Sequence, residues 1–218
     1  HRSVQSQIER INGLLHELWT VSEKPKLDFS DRVRLADVIA AEQRKLQESF
    51  AAKKLIVELN VPDSLPELCV DKPRFSRLFE LLFKDEIASL PPGSRVVVSA
   101  RMVEGTAPEK AQVEIRFSDN GPGLPAEALR LIFDPFVART ESPAEFGINL
   151  MACYFIVHHH GGTIHASGDP SRGTTFKIRL PVKPSQAAAL SDTEFLHKAV
   201  LNDELWRRLA VTEPPPPV

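Results

Sequence analysis

The chain has 218 residues, of which 42% are hydrophobic and 26% are charged, and its formal net charge is −2. These values are typical of a globular domain with flanking segments. A charge so near neutrality gives no electrostatic basis for binding nucleic acid. The sequence contains no run of 18 or more apolar residues, so it predicts no membrane-spanning helix. The two cysteines, Cys69 and Cys153, are not spaced as metal ligands, so we expect free thiols.

The first 22 residues carry apolar side chains at intervals of four and three, at Val4, Ile8, Ile11, Leu15 and Leu18. This spacing is typical of a coiled-coil or bundle helix, whose apolar stripe must be covered by a second helix. The alternative is an amphipathic helix that packs on its own domain. We favour the helix that needs a partner, which also allows a homodimer.

Helical and strand patterns follow one another from residue 34 onward. We predict helices over residues 34 to 52, 71 to 89 and 147 to 160, a short helix after residue 125, and strands over residues 54 to 61, 96 to 102, 112 to 118, 162 to 167 and 174 to 180. Asp71 is suited to cap the helix over residues 71 to 89, with Pro73 in its first turn. The series lacks repeated βαβ units, so we predict an α+β fold. It would be a two-layer α/β sandwich with a mixed, mostly antiparallel five-stranded sheet and helices on one face.

We divide the chain into three parts. Residues 1 to 27 are a helix and a linker, residues 28 to 182 are the main domain, and residues 183 to 218 are an extension. In the extension, KPSQAAALS is typical of a linker, residues 191 to 210 form a candidate helix, and the prolines near the end favour a polyproline II tail.

The residues Asp119-Asn120-Gly121-Pro122-Gly123 directly follow a predicted strand. Glycine permits positive φ and lets the backbone approach a ligand closely, while the aspartate is a fixed acceptor for an exocyclic amine. Taken alone, the same pattern also fits a glycine-proline turn with an aspartate that bonds its own backbone. A second motif, Asp134-Pro135 within IFDPF, lies further along the chain.

These motifs, in this order, resemble the G1 and F boxes of sensor histidine kinases, which belong to the GHKL superfamily and share the Bergerat fold. The resemblance covers roughly residues 28 to 182. It implies that ATP and Mg²⁺ bind and that the γ-phosphoryl group passes to a histidine on a dimerisation hairpin. It also implies that Asp119 accepts a hydrogen bond from the adenine amino group and that Gly121 and Gly123 make room for the base.

Two further positions follow from the resemblance. A hydroxyl near the adenine would come from Thr174, with Thr175 as the alternative, or these threonines simply favour a strand. Arg139, after the F box, could reach a phosphate or be a solvated loop cation.

The N and G2 boxes depart from the family pattern. Asp85 falls where the family has the asparagine that binds Mg²⁺, and a carboxylate is a good hard ligand that also adds negative charge beside a triphosphate. Leu81 falls where the family has a polar residue that orients the reacting groups. In the G2 box Gly147 alone remains of three lid glycines. Asn149 is a tolerable replacement because asparagine visits positive φ, whereas Glu145 would repel a phosphate.

The histidines are less informative than they first look. His16 lies in HELWT, which resembles a phosphoacceptor box, but the catalytic pattern starts directly after Pro25. We therefore interpret residues 1 to 27 as the end of the dimerisation helix and its linker, with the acceptor upstream of residue 1. His158, His159 and His160 point about 100° apart on a helix and cannot chelate one ion.

Two functions remain open. The chain is either the ATP-binding catalytic domain of a kinase or a degenerate signalling module that acts through protein contacts, as the altered N and G2 boxes would suggest. Another GHKL relative, such as an anti-sigma-factor serine kinase, is disfavoured by the F box and the first helix. We expect a cytoplasmic location, a dimerisation helix of the same or a second protomer as partner, and a response regulator as a further partner.

Overall fold

The computed structural model describes residues 27 to 103, 111 to 124, 129, 146 to 169 and 173 to 183, all within one compact unit. These ranges contain seven strands and four helices. In chain order they are β1 (Asp31–Val33), α1 (Leu35–Lys45), α2 (Gln47–Ala52), β2 (Ile56–Asn60), β3 (Leu68–Val70), α3 (Lys72–Ser89), β4 (Arg95–Val103), β5 (Gln112–Asp119), α4 (Phe146–His159), β6 (Thr163–Asp169) and β7 (Gly173–Pro181). The predicted helices over residues 1 to 22 and 191 to 210 lie outside the described residues, as does most of the short helix after residue 125.

Five strands form one mixed sheet in the order β2-β4-β5-β7-β6. β2 runs parallel to β4, and the other neighbouring pairs are antiparallel. This confirms the predicted α+β fold with a mixed, mostly antiparallel five-stranded sheet. A second sheet, the antiparallel pair β1 and β3, was not predicted, because three-residue strands are too short to show alternation.

The alternation of side chains along β5 separates the core from the outer face of the sheet. Val113, Ile115 and Phe117 are fully buried, and Phe117 meets Phe83 of α3 with the ring centroids 4.9 Å apart. Successive strand residues point to opposite faces, so Glu114 and its neighbours at even positions lie on the face turned away from α3. The helical layer therefore covers one face of β5 and leaves the other open.

The helix α3 begins and ends where the sequence predicts. The Asp71 side chain accepts a hydrogen bond from the Arg74 N–H at 3.2 Å, and a proline stands in the first turn. The helix ends at Ser89, and Gly93, with φ of 85°, then turns the chain toward β4. The single helix predicted over residues 34 to 52 is wrong in one respect, because Leu46 leaves the helical conformation and divides it into α1 and α2.

A hydrogen bond to the His160 side chain links the end of α4 to the start of α3. Its Nε2 accepts a hydrogen bond from the Asp71 N–H at 3.1 Å, and its Nδ1 donates to the Ile156 carbonyl at 2.7 Å. Burial lowers the pKa of His160, so the ring is held in its neutral form. Its neighbour His158 instead stacks on Tyr154, so the two side chains have different partners.

None of the helices that the structure describes is long and apolar enough to cross a membrane.

Candidate functional site

A cavity of about 190 Å³ opens between α3 and the adjacent ends of β5 and β7. Pockets that enclose a drug-sized ligand typically measure roughly 300–1,000 Å³, so the described part of this cavity suits a single ring system. It is lined by Asp85, Glu86, Ser89, Leu90, Asp119, Pro122, Gly123, Leu124, Thr174 and Phe176.

Asp119 is fixed at the cavity by two backbone N–H groups from different parts of the chain. Its Oδ1 accepts a hydrogen bond from Gly121 at 2.6 Å, and its Oδ2 accepts one from Thr174 of β7 at 2.9 Å. Hydrogen bonds to an ionised acceptor are stronger than those between neutral groups. The pair therefore sets the plane of the carboxylate before any ligand arrives.

Two glycines allow this arrangement because a side chain at either position would collide with it. A Cβ on Gly173, whose φ is 85°, would lie 2.2 Å from the Asp119 carbonyl oxygen. A Cβ on Gly121 would lie 2.5 Å from Leu90 Cδ2 and 2.9 Å from Asp119 Oδ1. The motif thus needs Gly121 for close packing. Gly173 is a further residue that the sequence did not single out for the site.

The C-terminal half of α3 adds two more carboxylates to the cavity. Asp85 and Glu86 are each only 2% exposed, and both line it together with Ser89. Asp85 was predicted as a site residue, whereas Glu86 was missed. The spacing i, i+1 and i+4 places the three residues on one side of the helix and could have identified Glu86.

The donor set fits a hard divalent cation. Asp85 offers a carboxylate at the cavity wall, and oxygen is the ligand that Mg²⁺ prefers. Among the residues that the structure describes, no group of three or more histidine, cysteine, aspartate or glutamate side chains could hold a metal ion. These residues suit Mg²⁺ that keeps water and phosphate ligands, and they do not form a complete protein cage.

The two threonines of β7 point to different faces of the sheet. Thr174 is 7% exposed and lines the cavity, whereas the Thr175 hydroxyl donates to Ser118 Oγ at 3.0 Å on the outer face. Asn120 has a structural role, because its Oδ1 accepts from the Arg95 N–H at 2.7 Å and its own N–H donates to the Arg95 carbonyl at 3.2 Å. These bonds tie the end of β5 to the start of β4.

The remaining predicted residues are less well placed by the structure. Leu81 packs in the hydrophobic core. Gly147 and Asn149 lie in the first turn of α4, where the structure describes only the backbone. Arg139 lies outside the described ranges, so the phosphate side of the predicted site stays a prediction.

A family model described as "Histidine kinase-, DNA gyrase B-, and HSP90-like ATPase" matches residues 71–184, just over half of the chain. The matched range contains all ten residues of the cavity wall.

Two curated relatives extend the similarity toward the N-terminus. The adaptive-response sensory kinase SasA of Microcystis aeruginosa is 27% identical over 84% of this chain and 47% of its own length. Sporulation kinase D of Bacillus subtilis is 30% identical over 84% of this chain and 34% of its own length. The chain thus spans less than half the length of either relative.

Three solved structures share the fold. The catalytic domain of histidine kinase ThkA, in a nucleotide-free form, has a TM-score of 0.61 at 18% identity and covers 73% of this chain and 98% of its own. Full-length ShkA in complex with AMPPNP has a TM-score of 0.64 at 19% identity, and the match covers 83% of this chain and 36% of the ShkA chain. ThkA in complex with the response regulator TrrA has a TM-score of 0.65 at 17% identity, and the match covers 84% of this chain and 50% of the other chain. The comparisons give no support to the alternative of a degenerate, non-catalytic module.

Proposed function

Because this chain belongs to the family of histidine kinase-, DNA gyrase B- and HSP90-like ATPases, we propose that it is the ATP-binding catalytic domain of a sensor histidine kinase. The observation that carries the proposal is the Asp119 carboxylate, fixed by the Gly121 and Thr174 N–H groups beside a cavity that suits one fused ring system. In this proposal the γ-phosphoryl group of ATP passes to a histidine on a dimerisation hairpin of the same or a second protomer.

Adenine is the base that suits this acceptor. Its exocyclic amine donates a hydrogen bond, and a hydrogen bond to a charged group contributes roughly 1.5–3 kcal/mol. In the proposal Gly121 and Gly123 keep the backbone clear of the ring, and Thr174 closes the other side of the base. A base with a carbonyl at the same position would meet the carboxylate with an acceptor and would bind less well.

The phosphate end of the site would lie toward α3 and the first turn of α4. Asp85 would hold Mg²⁺ there, and the bound ion would supply positive charge against the phosphates. Gly147 and Asn149 would offer backbone N–H groups at the start of α4, and Arg139 would reach a phosphate. Asp85 and Glu86 add negative charge to this wall, so we expect nucleotide binding to depend strongly on the cation.

The proposal includes the partners and the location of a sensor kinase. A response regulator would receive the phosphoryl group from the histidine, as suggested by the fold shared with the ThkA protein solved with TrrA. The domain would work as part of a homodimer in the cytoplasm, where ATP is available.

The proposal is tested by binding of a non-hydrolysable ATP analogue with Mg²⁺, measured by calorimetry and thermal shift. We expect the unaltered chain to bind. Asp119→Asn keeps the size of the side chain but replaces an acceptor oxygen with a donor, so it should lose affinity by about tenfold or more. Asp37→Ala, an exposed aspartate on α1, is the control and should bind normally. No binding by the unaltered chain at millimolar analogue would overturn the proposal.

A further inference from the structure

On the face of the five-stranded sheet that is turned away from α3, three arginines bond one carboxylate and a lysine lies in the neighbouring row. We call this cluster the basic face, and it consists of Glu114, Arg101, Arg116, Arg179 and Lys177. Glu114 is only 1% exposed although it lies on the outer side of the sheet, because the arginine side chains cover it. The cluster lies on the opposite side of β5 and β7 from the cavity lining, so nucleotide binding does not explain it.

Glu114 holds three guanidinium groups in fixed positions. Its Oε1 accepts from Nε and Nη2 of Arg101 at 3.1 and 2.9 Å and from Nε of Arg116 at 3.0 Å, while its Oε2 accepts from Nε of Arg179 at 2.9 Å. The three arginine side chains remain 61%, 49% and 43% exposed. A guanidinium has five N–H donors, so each arginine keeps donors that face water.

The basic face has a net positive charge, although the whole chain has a net negative charge. Four cations and one carboxylate give it a net charge of +3, whereas the whole chain has a net charge of −2. Arg116 of β5 lies directly opposite Lys177 of β7, and His165 of β6 lies on the other side of Lys177, where an imidazole N–H can also donate to an anion. The Arg116–Lys177 pair places like charges directly opposite each other on neighbouring strands, which is destabilising. A bound anion would offset the repulsion between these two cations, so the pair favours an anionic partner.

We propose that the basic face docks an acidic helix of a partner protein. Neighbouring strands lie about 4.8 Å apart, so the row from Arg116 through Lys177 to His165 spans roughly 9.6 Å across the sheet. Carboxylates at i, i+4 and i+7 of a helix form a stripe about 10.5 Å long. The two spacings match, and the exposed edge of Arg116 suits a two-pronged hydrogen bond to a carboxylate.

The row residues favour a protein over a nucleic acid. A single-stranded nucleic acid is usually held by aromatic side chains on which its bases stack. The outer positions of β5, β6 and β7 within the described strands carry no phenylalanine, tyrosine or tryptophan, and the His165 imidazole is the one aromatic ring among them. The hydroxyls of Ser118 and Thr175 lie one row further along and offer neutral hydrogen-bonding groups beside the cations.

The proposal is tested with a fluorescent, alanine-rich helical peptide that carries glutamates at i, i+4 and i+7. A control peptide has the same composition with its glutamates spread around the helix. Anisotropy titration of the full chain at low salt should show the striped peptide binding about fivefold tighter than the control, because only the stripe matches the row. Added salt should weaken the complex.

Two variants of the chain test whether the affinity for the striped peptide depends on the basic face or on the total charge of the chain. Lys177→Glu should weaken the striped peptide about tenfold, since an attraction becomes a repulsion. Arg44→Glu makes the same charge change on the exposed surface of α1 and should leave the affinity within about twofold. Both variants should keep the ATP-analogue affinity of the unaltered chain, because neither residue lines the cavity. Lys177→Glu should not lower the thermal midpoint, because it replaces a like-charge pair with Arg116 by an opposite-charge pair.

Three outcomes contradict the proposal. Equal affinity for the two peptides would show that the spacing does not matter, and equal losses in Lys177→Glu and Arg44→Glu would show a general charge effect. Binding of duplex DNA or phosphatidylserine vesicles in preference to the striped peptide would assign the basic face to another class of partner. Each of these results leaves the proposed nucleotide site untouched, so the two proposals can fail separately.

Discussion

Asp119 and Gly173 depend on each other at the level of single atoms. Gly173 approaches the Asp119 carbonyl so closely that a Cβ would sit 2.2 Å from the oxygen and 2.7 Å from Oδ1. The next residue, Thr174, donates one of the two hydrogen bonds that fix the carboxylate. Any change that pushes β7 away from β5 therefore also releases the acceptor at the cavity.

Gly173→Ala is expected to lose both stability and nucleotide affinity. The matched control is Gly93→Ala, because Gly93 has the same φ of 85° but a Cβ there would meet nothing within 4 Å. Both variants carry the backbone strain of positive φ, about 1–2 kcal/mol. The collision should cost Gly173→Ala roughly a further 1–3 kcal/mol in urea unfolding. Equal losses in the two variants would contradict this account.

The effect of the Asp85 carboxylate on nucleotide affinity should change from unfavourable to favourable when Mg²⁺ is added. Without a divalent cation, its carboxylate repels the nucleotide, so Asp85→Asn should bind an ATP analogue more tightly than the unaltered chain in EDTA. With Mg²⁺ present, the carboxylate becomes a ligand, and the unaltered chain should gain more affinity from the ion than Asp85→Asn does. Calorimetry with and without Mg²⁺ measures both, and an equal gain would remove Asp85 from the metal site.

Single residues differ in how far the sequence could predict them. Asp119 was predictable because glycines surround it in a recognisable order. Glu114 was not, because a glutamate within an alternating strand indicates a solvent-exposed side chain. Its burial arises from arginines on three different strands, which the sheet order alone brings together.

Among the elements, α3 was predicted almost to its ends, whereas the break between α1 and α2 was missed and β1 and β3 were not predicted. Asp71, the proline of the first turn and the Pro91-Pro92-Gly93 sequence mark α3 with known start and stop signals. No glycine or proline marks the break at Leu46, so the division between α1 and α2 has no comparable signal. Packing of Phe50 against Phe83 accompanies that break and involves residues distant in the sequence.

The pairing of β4, β5 and β7 through Glu114 predicts a pH dependence of stability. Burial would raise the pKa of Glu114, but hydrogen bonds from Arg101, Arg179 and Arg116 outweigh it and lower the pKa from 4.5 to about 2. The folded-state pKa is therefore depressed. The corresponding stability is present above pH 4.5 and is lost as the pH falls toward about 2.

Glu114→Gln should remove this component of the pH dependence. Urea unfolding across that pH window should show a shallower loss of stability in Glu114→Gln than in the unaltered chain. Glu48→Gln, which removes an exposed carboxylate of α2, should keep the original slope. Identical slopes in all three proteins would show that the three arginines do not stabilise the ionised form of Glu114.

At the scale of the whole molecule, the order of elements indicated the fold class, while the sheet order had to come from the structure. The cavity exists because β5 and β7, which are separated in the chain by α4 and β6, are neighbours in the sheet. That pairing brings the Thr174 N–H to the Asp119 carboxylate, and α3 supplies the opposite wall. The phosphate side of the site could be predicted only from the resemblance to the N, F and G2 boxes, through Asp85, Arg139, Gly147 and Asn149.

The central claim is that Asp119 accepts a hydrogen bond from the adenine amino group. It is tested most directly by comparing the binding of ATP with that of inosine triphosphate. The two nucleotides share ribose and phosphates, but inosine carries a carbonyl in place of the exocyclic amine. With Mg²⁺ present, we predict that the unaltered chain binds ATP about tenfold or more tightly than inosine triphosphate, and that Asp119→Asn loses this preference because its amide can donate to the carbonyl. Equal affinity of the unaltered chain for both nucleotides would contradict the account.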